Sequence, residues 1–221
     1  MQAFIFDFNG TLFQDADIHR VAWKRFMQRH GRPITDAEFY EHMYGPGNDE
    51  ILRKFLGEGL TDAEVNALSE EKEADYREIV LADPSLQVLA PGAAQMLDML
   101  VSRRVPCAVA TASIRANVDF YLDTLGLSRW FDLSRMFYMT GDFPGKPDPA
   151  IYRLAMEGLG VQPKDTTVVE DSMSGIRAAV AAVVGRVIAV DTTMGPEALS
   201  KVPGVDAVIH DFCGFERFLE P

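Results

Sequence analysis

Four polar segments of this chain carry the side chains that are best suited to chemistry. The first is residues 7–11 (DFNGT), which directly follow the apolar run Ala3–Phe6. The carboxylate of Asp7 stands at the end of an expected buried strand, before an Asn-Gly turn, and can act as a nucleophile toward phosphorus or carbon. Asn9 stands where a second carboxylate would be useful, but an amide cannot transfer a proton.

The other three polar segments each follow a later apolar run in the same way. They are residues 111–113 (TAS), residues 145–149 (GKPDP) and residues 170–172 (EDS). The carboxyl ends of neighbouring parallel strands meet at one edge of a sheet, which is where such folds bind ligands. We therefore expect the four segments to converge on a single site.

This set of side chains is suited to phosphoryl transfer. Asp7 would attack the phosphorus, and Lys146 would offset the repulsion between the carboxylate and the phosphate. Thr111 would donate its hydroxyl to a phosphoryl oxygen, helped by backbone N–H groups at the following helix start. Asp171 and Glu170 supply the oxygen ligands that Mg²⁺ prefers.

Each segment also has a purely structural interpretation when it is taken alone. An Asp at a strand end is often a turn residue, Asp148 could cap a helix, and residues 170–172 could form an N-cap cluster. The occurrence of all four segments in this order, each at a predicted strand end, favours the shared site.

The elements that must position these residues alternate between strand and helix over most of the chain. Near-continuous apolar strands in such an alternation predict an α/β fold with a doubly wound parallel sheet. The predicted strands are Ala3–Phe6, Val105–Ala110, Met136–Met139, Thr166–Val169, Val187–Val190 and, more weakly, Ala207–Ile209, and the predicted helices are Ala93–Arg103, Ala116–Leu125, Pro149–Leu159 and Gly175–Val183.

The alternation is interrupted by a stretch of amphipathic helical patterns, so residues 1–13 and 85–221 are predicted to form the core and residues 14–84 an inserted helical cap. Thr35 and Thr61 are expected N-caps within the insert. A lid that enters and leaves beside a catalytic strand can close over a substrate. The helices predicted in it are Asp17–His30, Thr35–His42, Asp49–Leu56 and Thr61–Val80.

Composition excludes several classes of function. The net charge of −12, with no basic stretch, argues against nucleic acid and against an anionic membrane surface as partners. No leader peptide or membrane-length apolar run is visible, which predicts a cytoplasmic protein, and an acidic surface without an obvious apolar patch suggests a monomer. Cys107 and Cys213 lie in apolar surroundings and are expected to be buried free thiols.

The four segments, in this order, resemble the motifs of the haloacid dehalogenase superfamily, which is dominated by aspartate-nucleophile phosphatases. Residues 7–12 (DFNGTL) resemble the first motif, Thr111 the second, Lys146 the third, and residues 170–176 (EDSMSGI) the fourth. The resemblance covers nearly the whole chain and is nearest to the β-phosphoglucomutase-like branch. It implies a Rossmann-like core with an α-helical cap. It also implies Mg²⁺ held by the Asp7 carboxylate, the Asn9 backbone carbonyl and Asp171, with Glu170 helping from the periphery or through a water.

The chain departs from the resembled family at two places. The residue matching Asn9 is normally an Asp that acts as general acid and base, so turnover is expected to be slow. The loop of residues 44–49 (YGPGND) lacks the Lys and Arg that mutase-type members use to grip a second phosphate, which favours a substrate with one phosphoryl group. His19, which matches a histidine of the mutase branch, is a candidate replacement acid or base.

We therefore predict a Mg²⁺-dependent phosphatase that acts on a small phosphorylated metabolite through an aspartyl-phosphate intermediate at Asp7. The predicted substrate-binding residues are Ser113, His19, Asn48 and Arg115, although Arg115 could instead simply open the helix. The alternatives are a phosphoglucomutase-like phosphotransferase, a haloacid dehalogenase proper, and a non-catalytic phospholigand-binding protein disabled by Asn9. A dehalogenase needs no metal, so Glu170 and Asp171 would be without purpose there.

Overall fold

The computed structural model of the chain describes residues 2–192 and 194–219. The chain divides into two compact units. One unit comprises Met1–Gln14 and Val88–Pro221, and the other comprises Asp15–Gln87. We refer to them below as the core unit and the helical unit.

The core unit is built on a sheet of six parallel strands, which confirms the predicted α/β class. The strand order is β3-β2-β1-β4-β5-β6. The strands are β1 (Ala3–Phe6), β2 (Cys107–Ala110), β3 (Met136–Phe137), β4 (Thr166–Glu170), β5 (Arg186–Val190) and β6 (Ala207–Ile209). The helices of this unit are α5 (Ala93–Ser102), α6 (Arg115–Thr124), α7 (Ala150–Leu159), α8 (Met173–Ala181) and α9 (Pro196–Leu199).

Strand β1 lies at the point where the strand order reverses. The chain runs from β1 outward to β2 and β3, and it then returns to the other side of β1 for β4, β5 and β6. All four residues of β1 are fully buried, as their unbroken apolar sequence predicts for a central parallel strand. The carboxyl ends of β1 and β4 therefore flank the topological switch point, where open α/β sheets bind their ligands.

Several element boundaries differ from those predicted from the sequence. Strand β2 begins at Cys107 rather than Val105, because Pro106 has no N–H to donate to the ladder. Helix α8 begins two residues earlier than expected, since the Ser172 hydroxyl accepts the backbone N–H of Gly175 and acts as the N-cap. Strand β3 is shorter than predicted and ends at Phe137.

The helical unit contains α1 (Ala16–Arg29), α2 (Asp36–His42), α3 (Asn48–Leu56) and α4 (Asp62–Ala82). Thr35 and Thr61 are confirmed as N-caps. Each forms a complete capping box, with Glu38 and Glu64 respectively. The unit has its own apolar core, which includes Trp23, Phe26, Met27, Phe39, Ile51, Leu52 and Val65.

Two further expectations concern the cysteines and the membrane. Both cysteines are free, but Cys107 is half-buried and Cys213 is exposed, so the prediction of two buried thiols is wrong. Cys213 follows β6 in a turn where its backbone N–H bonds to the Asp211 side chain, and this turn lies at the surface. None of the helices in the described part of the chain has the length and apolar character needed to cross a bilayer.

Candidate active site

The Asp7 carboxylate lies directly beyond the carboxyl end of β1. The backbone N–H of Asp7 donates to the carbonyl of Val169 at 2.9 Å, which continues the pairing of β1 with β4 by one residue. Only 7% of Asp7 is exposed. The nucleophile candidate is thus fixed by the most buried part of the sheet rather than by a loose loop.

Lys146 joins three strand ends. Its Nζ atom donates to Asp7 Oδ1 at 2.6 Å, to Glu170 Oε1 at 2.6 Å and to the carbonyl of Ala110 at 3.1 Å. The ammonium group has three N–H donors, and these three acceptors match that number. The loop after β3 therefore delivers one buried cation to the ends of β1, β2 and β4.

Glu170 is held by donors at both carboxylate oxygens. Besides Lys146, its Oε1 accepts the hydroxyl of Tyr152 at 3.0 Å, and its Oε2 accepts the backbone N–H and the hydroxyl of Ser172 at 2.8 and 3.0 Å. A Cβ atom at position 175 would collide with the Glu170 carboxylate, so a glycine is needed there. Both carboxylate oxygens of Glu170 are therefore occupied by donors of this chain.

Asp171 faces the turn that follows Asp7. Its Oδ1 accepts the hydroxyl of Thr11 at 3.2 Å, and Thr192 approaches its Oδ2 at 3.5 Å while donating to the carbonyl of Gly10 at 2.7 Å. Gly10 has φ of +76°, and a Cβ there would overlap the Asp171 carboxylate. Gly10 therefore leaves the space that the Asp171 carboxylate occupies beside the Asn-Gly turn.

The cluster holds an excess of negative charge. Ligand oxygens of Asp7, Glu170 and Asp171 lie within 4.8 Å of one another, and Lys146 is the cation placed among them. Burial raises the pKa of Asp7 to about 7, with Lys146 opposing the rise and Glu170 adding to it. Burial, followed by the charges of Glu170 and Asp7, raises the pKa of Asp171 well above its ordinary value.

Lys146 itself stays charged. Burial opposes its charged form, but the carboxylates of Asp7 and Glu170 outweigh this effect and raise the pKa of Lys146 well above its ordinary value. Three buried carboxylates facing one ammonium form a hard, oxygen-rich and anionic site. Such a donor set fits Mg²⁺, which would neutralise the remaining charge.

The Asn9 side chain is bound to residues after β2. Its Oδ1 accepts the hydroxyl of Ser113 at 2.8 Å and that of Thr111 at 3.3 Å. Its Nδ2 donates to the hydroxyl of Tyr121 at 3.1 Å. The predicted second-segment residues are therefore in direct contact with the first segment.

The structure does not bring every candidate of the core unit to this cluster. Arg115 opens α6, and its guanidinium pairs with Asp119 at 2.8 Å and reaches the hydroxyl of Tyr138 at 3.3 Å. The structural interpretations also hold for two residues. Asp148 accepts the N–H of Ala150 at the start of α7, and Ser172 caps α8.

His19 and Asn48 belong to a buried polar network inside the helical unit. Lys72 Nζ lies 2.7 Å from His19 Nδ1 and 2.8 Å from Glu73 Oε1, which also accepts Asn48 Nδ2 at 2.8 Å. Burial opposes ionisation of Glu73, but the charges of Lys72 and His19 outweigh it and hold the pKa of Glu73 at about 2. Glu73 is therefore an ionised carboxylate at neutral pH although it is buried in a small helical unit.

Sequence reasoning did not identify Tyr152, Tyr121, Thr192 or the Lys72–Glu73 pair. Tyr152 and Tyr121 occur in helical patterns that predict a buried core position, and both side chains are fully buried. Adjacent opposite charges such as Lys72 and Glu73 predict a solvent-exposed helix face. A polar residue at a buried helical position was the available signal, but helix periodicity alone does not reveal its partner.

The fold and the cluster at its switch point together define a hydrolase with an α/β core. The family model of the haloacid dehalogenase-like hydrolases matches residues 1–182, and the chain belongs to this family. It is 31% identical over 193 residues to the phosphorylated carbohydrates phosphatase of Thermotoga maritima, covering 86% of this chain and 85% of the relative. It is 32% identical over 182 residues to the validoxylamine A 7'-phosphate phosphatase of Streptomyces hygroscopicus, covering 79% of each.

Solved structures of the family share the whole fold. A haloacid dehalogenase hydrolase of Entamoeba histolytica matches with a TM-score of 0.89 and 32% identity, covering 96% of this chain and 94% of that one. A mutant CbbY of Rhodobacter sphaeroides, solved in complex with xylulose 1,5-bisphosphate, matches with a TM-score of 0.80 and 25% identity over 97% and 96% of the two chains.

Proposed function

We propose that this chain is a Mg²⁺-dependent phosphatase that hydrolyses small phosphorylated metabolites through a phosphorylated Asp7. The observation that carries the proposal is the contact between Asp7 and Lys146 inside the buried carboxylate cluster. The ammonium keeps the attacking oxygen oriented and offsets the charge of an incoming phosphoryl group.

The residues that would hold the metal are the carboxylates of Asp7 and Asp171 and the backbone carbonyl of Asn9. Glu170, whose oxygens already accept four hydrogen bonds, would act through Lys146 or a water. When bound, Mg²⁺ would supply charge neutralisation for the phosphoryl oxygens and for the nucleophile. The raised pKa values of Asp7 and Asp171 support this, because they indicate a site that needs a further cation.

The reaction would proceed in two displacements. A carboxylate oxygen of Asp7 forms a bond to phosphorus while the bond from phosphorus to the leaving oxygen breaks, and the leaving alcohol takes its proton from water. A second water then attacks the phosphorus and gives its proton to the solvent, while the bond from phosphorus to the Asp7 oxygen breaks. Inorganic phosphate leaves and the Asp7 carboxylate is restored. Thr111 would donate a hydrogen bond to a phosphoryl oxygen in both displacements, and the charge of Lys146 would offset the repulsion between Asp7 and the phosphoryl group.

Asn9 would make both displacements slow, because its amide cannot protonate a leaving group or deprotonate water. General acid–base catalysis contributes about 10²–10⁴-fold to enzymatic rates. Substrates with good leaving groups, such as acyl phosphates, depend less on this help. We therefore propose a slow phosphatase. Either its preferred substrates have acidic leaving groups, or another group of the protein transfers the proton in place of residue 9.

The helical unit would serve as the cap that selects the substrate. Its proposed substrate-binding residues are His19 and Asn48, and those proposed for the core unit are Ser113 and Arg115. The loop of residues 44–49 has no Lys or Arg to hold a second phosphate, and the amide of Asn48 in it is bound to the ionised Glu73. This arrangement favours a substrate with one phosphoryl group. The names of two relatives refer to phosphorylated carbohydrates and to validoxylamine A 7'-phosphate, so sugar-like monophosphates are the first candidates.

His19 is proposed as the group that could replace the missing acid or base. Its Nδ1 contacts Lys72, and its Nε2 lies 3.3 Å from Asp15. If His19→Ala leaves phosphate release unchanged, this role is removed without affecting the role of Asp7. The proposal also includes a monomeric, cytoplasmic enzyme, and light scattering of the purified chain would test the monomer.

A phosphate-release screen tests the proposed function. The native chain, Asn9→Asp and Asp7→Asn are compared on sugar monophosphates, acyl phosphates and bisphosphates, each with Mg²⁺ and with EDTA. We expect Mg²⁺-dependent release by the native chain and none by Asp7→Asn. Strong release by Asn9→Asp alone would favour a phospholigand-binding protein, transfer between sugar positions would favour a mutase, and activity retained by Asp7→Asn would refute the nucleophile.

A further inference from the structure

Asn9, Ser113 and Tyr121 form a closed hydrogen-bond ring beside the nucleophile. Asn9 Nδ2 donates to the Tyr121 hydroxyl at 3.1 Å, the Tyr121 and Ser113 oxygens are 3.0 Å apart, and the Ser113 hydroxyl donates to Asn9 Oδ1 at 2.8 Å. When Tyr121 donates to Ser113, all three bonds run in one direction around the ring. Each member then donates one hydrogen bond and accepts one within it.

Tyr121 also packs against the backbone segment that carries the nucleophile. It is fully buried on α6, and its ring centroid lies 4.1 Å from that of Phe8, the residue between Asp7 and Asn9. A buried hydroxyl needs a partner, because leaving it unsatisfied costs more than the bond itself contributes. One side chain therefore fixes both Phe8, through its ring, and Asn9, through its hydroxyl.

The ring in this direction needs both a donor and an acceptor at position 9, and an amide supplies both. A carboxylate there could only accept, so Tyr121 and Ser113 would both have to donate to it. Their oxygens, 3.0 Å apart, would then face each other without a hydrogen between them. The surroundings of position 9 are thus matched to asparagine, which makes Asn9 an integrated part of this site.

The ring also determines what Thr111 can do. Thr111 Oγ1 accepts the backbone N–H of Ser113 at 3.1 Å and lies 3.3 Å from Asn9 Oδ1 and 3.1 Å from Ser113 Oγ. Within the ring each of these two oxygens already receives one hydrogen, so the bond donated by Thr111 is the second one at either oxygen. The Thr111 hydroxyl is therefore held by contacts that it shares with other donors, and it can exchange them for a phosphoryl oxygen.

We propose that Tyr121 is a positioning residue of the phosphoryl site: through the ring with Ser113 it holds the Asn9 amide and directs the Thr111 hydroxyl toward a phosphoryl oxygen. The proposal rests on the proposed function for its kinetic consequences, but the ring itself does not depend on turnover. In this role Tyr121 acts through Asn9 and Thr111.

A double-mutant cycle between Tyr121→Phe and Asn9→Asp tests the proposal, because phenylalanine keeps the packing on Phe8 and removes only the hydroxyl. We expect Tyr121→Phe to lower kcat/KM about tenfold in the native chain, the effect of one lost hydrogen bond, and by at most about twofold in the Asn9→Asp background. Tyr40→Phe, on the exposed face of α2, removes a hydroxyl that is not part of the ring and should change neither value. Melting temperatures of all variants establish that they fold.

Ser113 provides a conservative rescue. Ser113→Ala should lower kcat/KM in the same way as Tyr121→Phe, while Ser113→Thr, which keeps the hydroxyl, should restore most of it. A merely structural role would reduce thermal stability without this dependence on the hydroxyl. Equal effects of Tyr121→Phe in the native chain and in the Asn9→Asp background, or a change within about twofold in the native chain, would overturn the proposal.

Binding of inorganic phosphate separates this proposal from the proposed function. Titration calorimetry with about 10 mM Mg²⁺ in the medium, to saturate a typical Mg²⁺ site, should show phosphate bound about 3- to 10-fold more weakly by Tyr121→Phe than by the native chain. A native chain that binds phosphate but releases none from any substrate would refute the phosphatase while this comparison still decides the role of Tyr121. Equal phosphate affinities would overturn the positioning role, and a native chain that does not bind phosphate would overturn both.

Discussion

Lys146 Nζ lies 2.6 Å from the Asp7 carboxylate, at the meeting point of three strand ends. The same ammonium holds Glu170 at 2.6 Å, so one cation is shared by two carboxylates while Asp171 stands close by. The site is thereby built to be anionic and short of positive charge. Because of this shortage of positive charge, Lys146, Mg²⁺ and the protonation of Asp7 should each have a large effect on the site.

Lys146→Met should lower kcat/KM by about 10²–10³-fold, because a preorganised charge in a buried site stabilises the transferring phosphoryl group strongly. Lys146→Arg should recover little, since a planar guanidinium cannot reproduce the three contacts of the ammonium. Lys201→Met, at an exposed lysine of the same unit, is the matched control. Retention of more than a tenth of the native kcat/KM by Lys146→Met would contradict the role of Lys146.

Asn9→Asp should raise turnover of phosphomonoesters with poor leaving groups by about 10²-fold, at the low end of general acid–base contributions. The gain should be smaller for acyl phosphates, whose leaving groups need no proton. Rapid-quench measurement of phosphorylated Asp7 should show a shorter-lived intermediate in Asn9→Asp. If its lifetime is unchanged, Asn9 is not the reason for slow hydrolysis.

Mg²⁺ should stabilise the native chain against unfolding by RT ln(1 + [Mg²⁺]/Kd), which is about 2.7 kcal/mol at a hundredfold excess over Kd. Asp171→Asn should lose most of this stabilisation, because it removes an anionic ligand from the cluster. Asp123→Asn, at an exposed position on α6, should keep it. Differential scanning fluorimetry across a Mg²⁺ series measures the effect, and an identical Mg²⁺ response in Asp171→Asn would exclude Asp171 as a ligand.

Without metal, the stability of the native chain should fall as the pH rises from about 4 to about 7. Burial raises the pKa of Asp7 from 3.8 to about 7, so the folded state keeps a proton that the unfolded chain has released. This contribution is fully present below the unfolded value and is lost as the pH passes the folded one. Its size is on the order of 2–4 kcal/mol.

Asp7→Asn removes that titration. In EDTA at pH 8 the variant should therefore be more stable than the native chain, although it is inactive. Urea unfolding at pH 5, 6, 7 and 8 gives the comparison. A native chain whose free energy of unfolding does not change relative to Asp7→Asn across this range would show that Asp7 titrates normally.

The helical unit should show the opposite pH dependence. The pKa of Glu73 is about 2 in the folded state against an ordinary 4.5, so its contribution is present above about pH 4.5 and is lost as the pH falls toward 2. Glu73→Gln should lower the free energy of unfolding by about 1–3 kcal/mol at neutral pH. It should also reduce the further loss of stability between about pH 4.5 and pH 2. Fluorescence of Trp23 in a Trp130→Phe background reports on this unit, and Glu78→Gln, at an exposed position of α4, is the control.

The order of elements and the convergence of the four polar segments could be read from the sequence, because both follow from local patterns. Apolar runs such as Ala3–Phe6 predict buried strands, and the parallel-sheet rule brings their carboxyl ends together. Thr35 and Thr61 were recognisable as N-caps for the same local reason. Boundaries were less accurate where a single backbone group decided them, as Pro106 does for β2.

The partners of each polar group were decided by the tertiary structure alone. The sequence by itself determined that Asp7 follows a buried strand and that the residue two positions later is an amide, which cannot transfer a proton. It contained no local signal that Tyr121, more than a hundred residues away, would bind the Asn9 amide, or that Tyr152 would hold Glu170. Hydrogen bonds and pKa values depend on three-dimensional distance and burial, and only the packing of α6 and α7 against the sheet brings these hydroxyls to the strand ends.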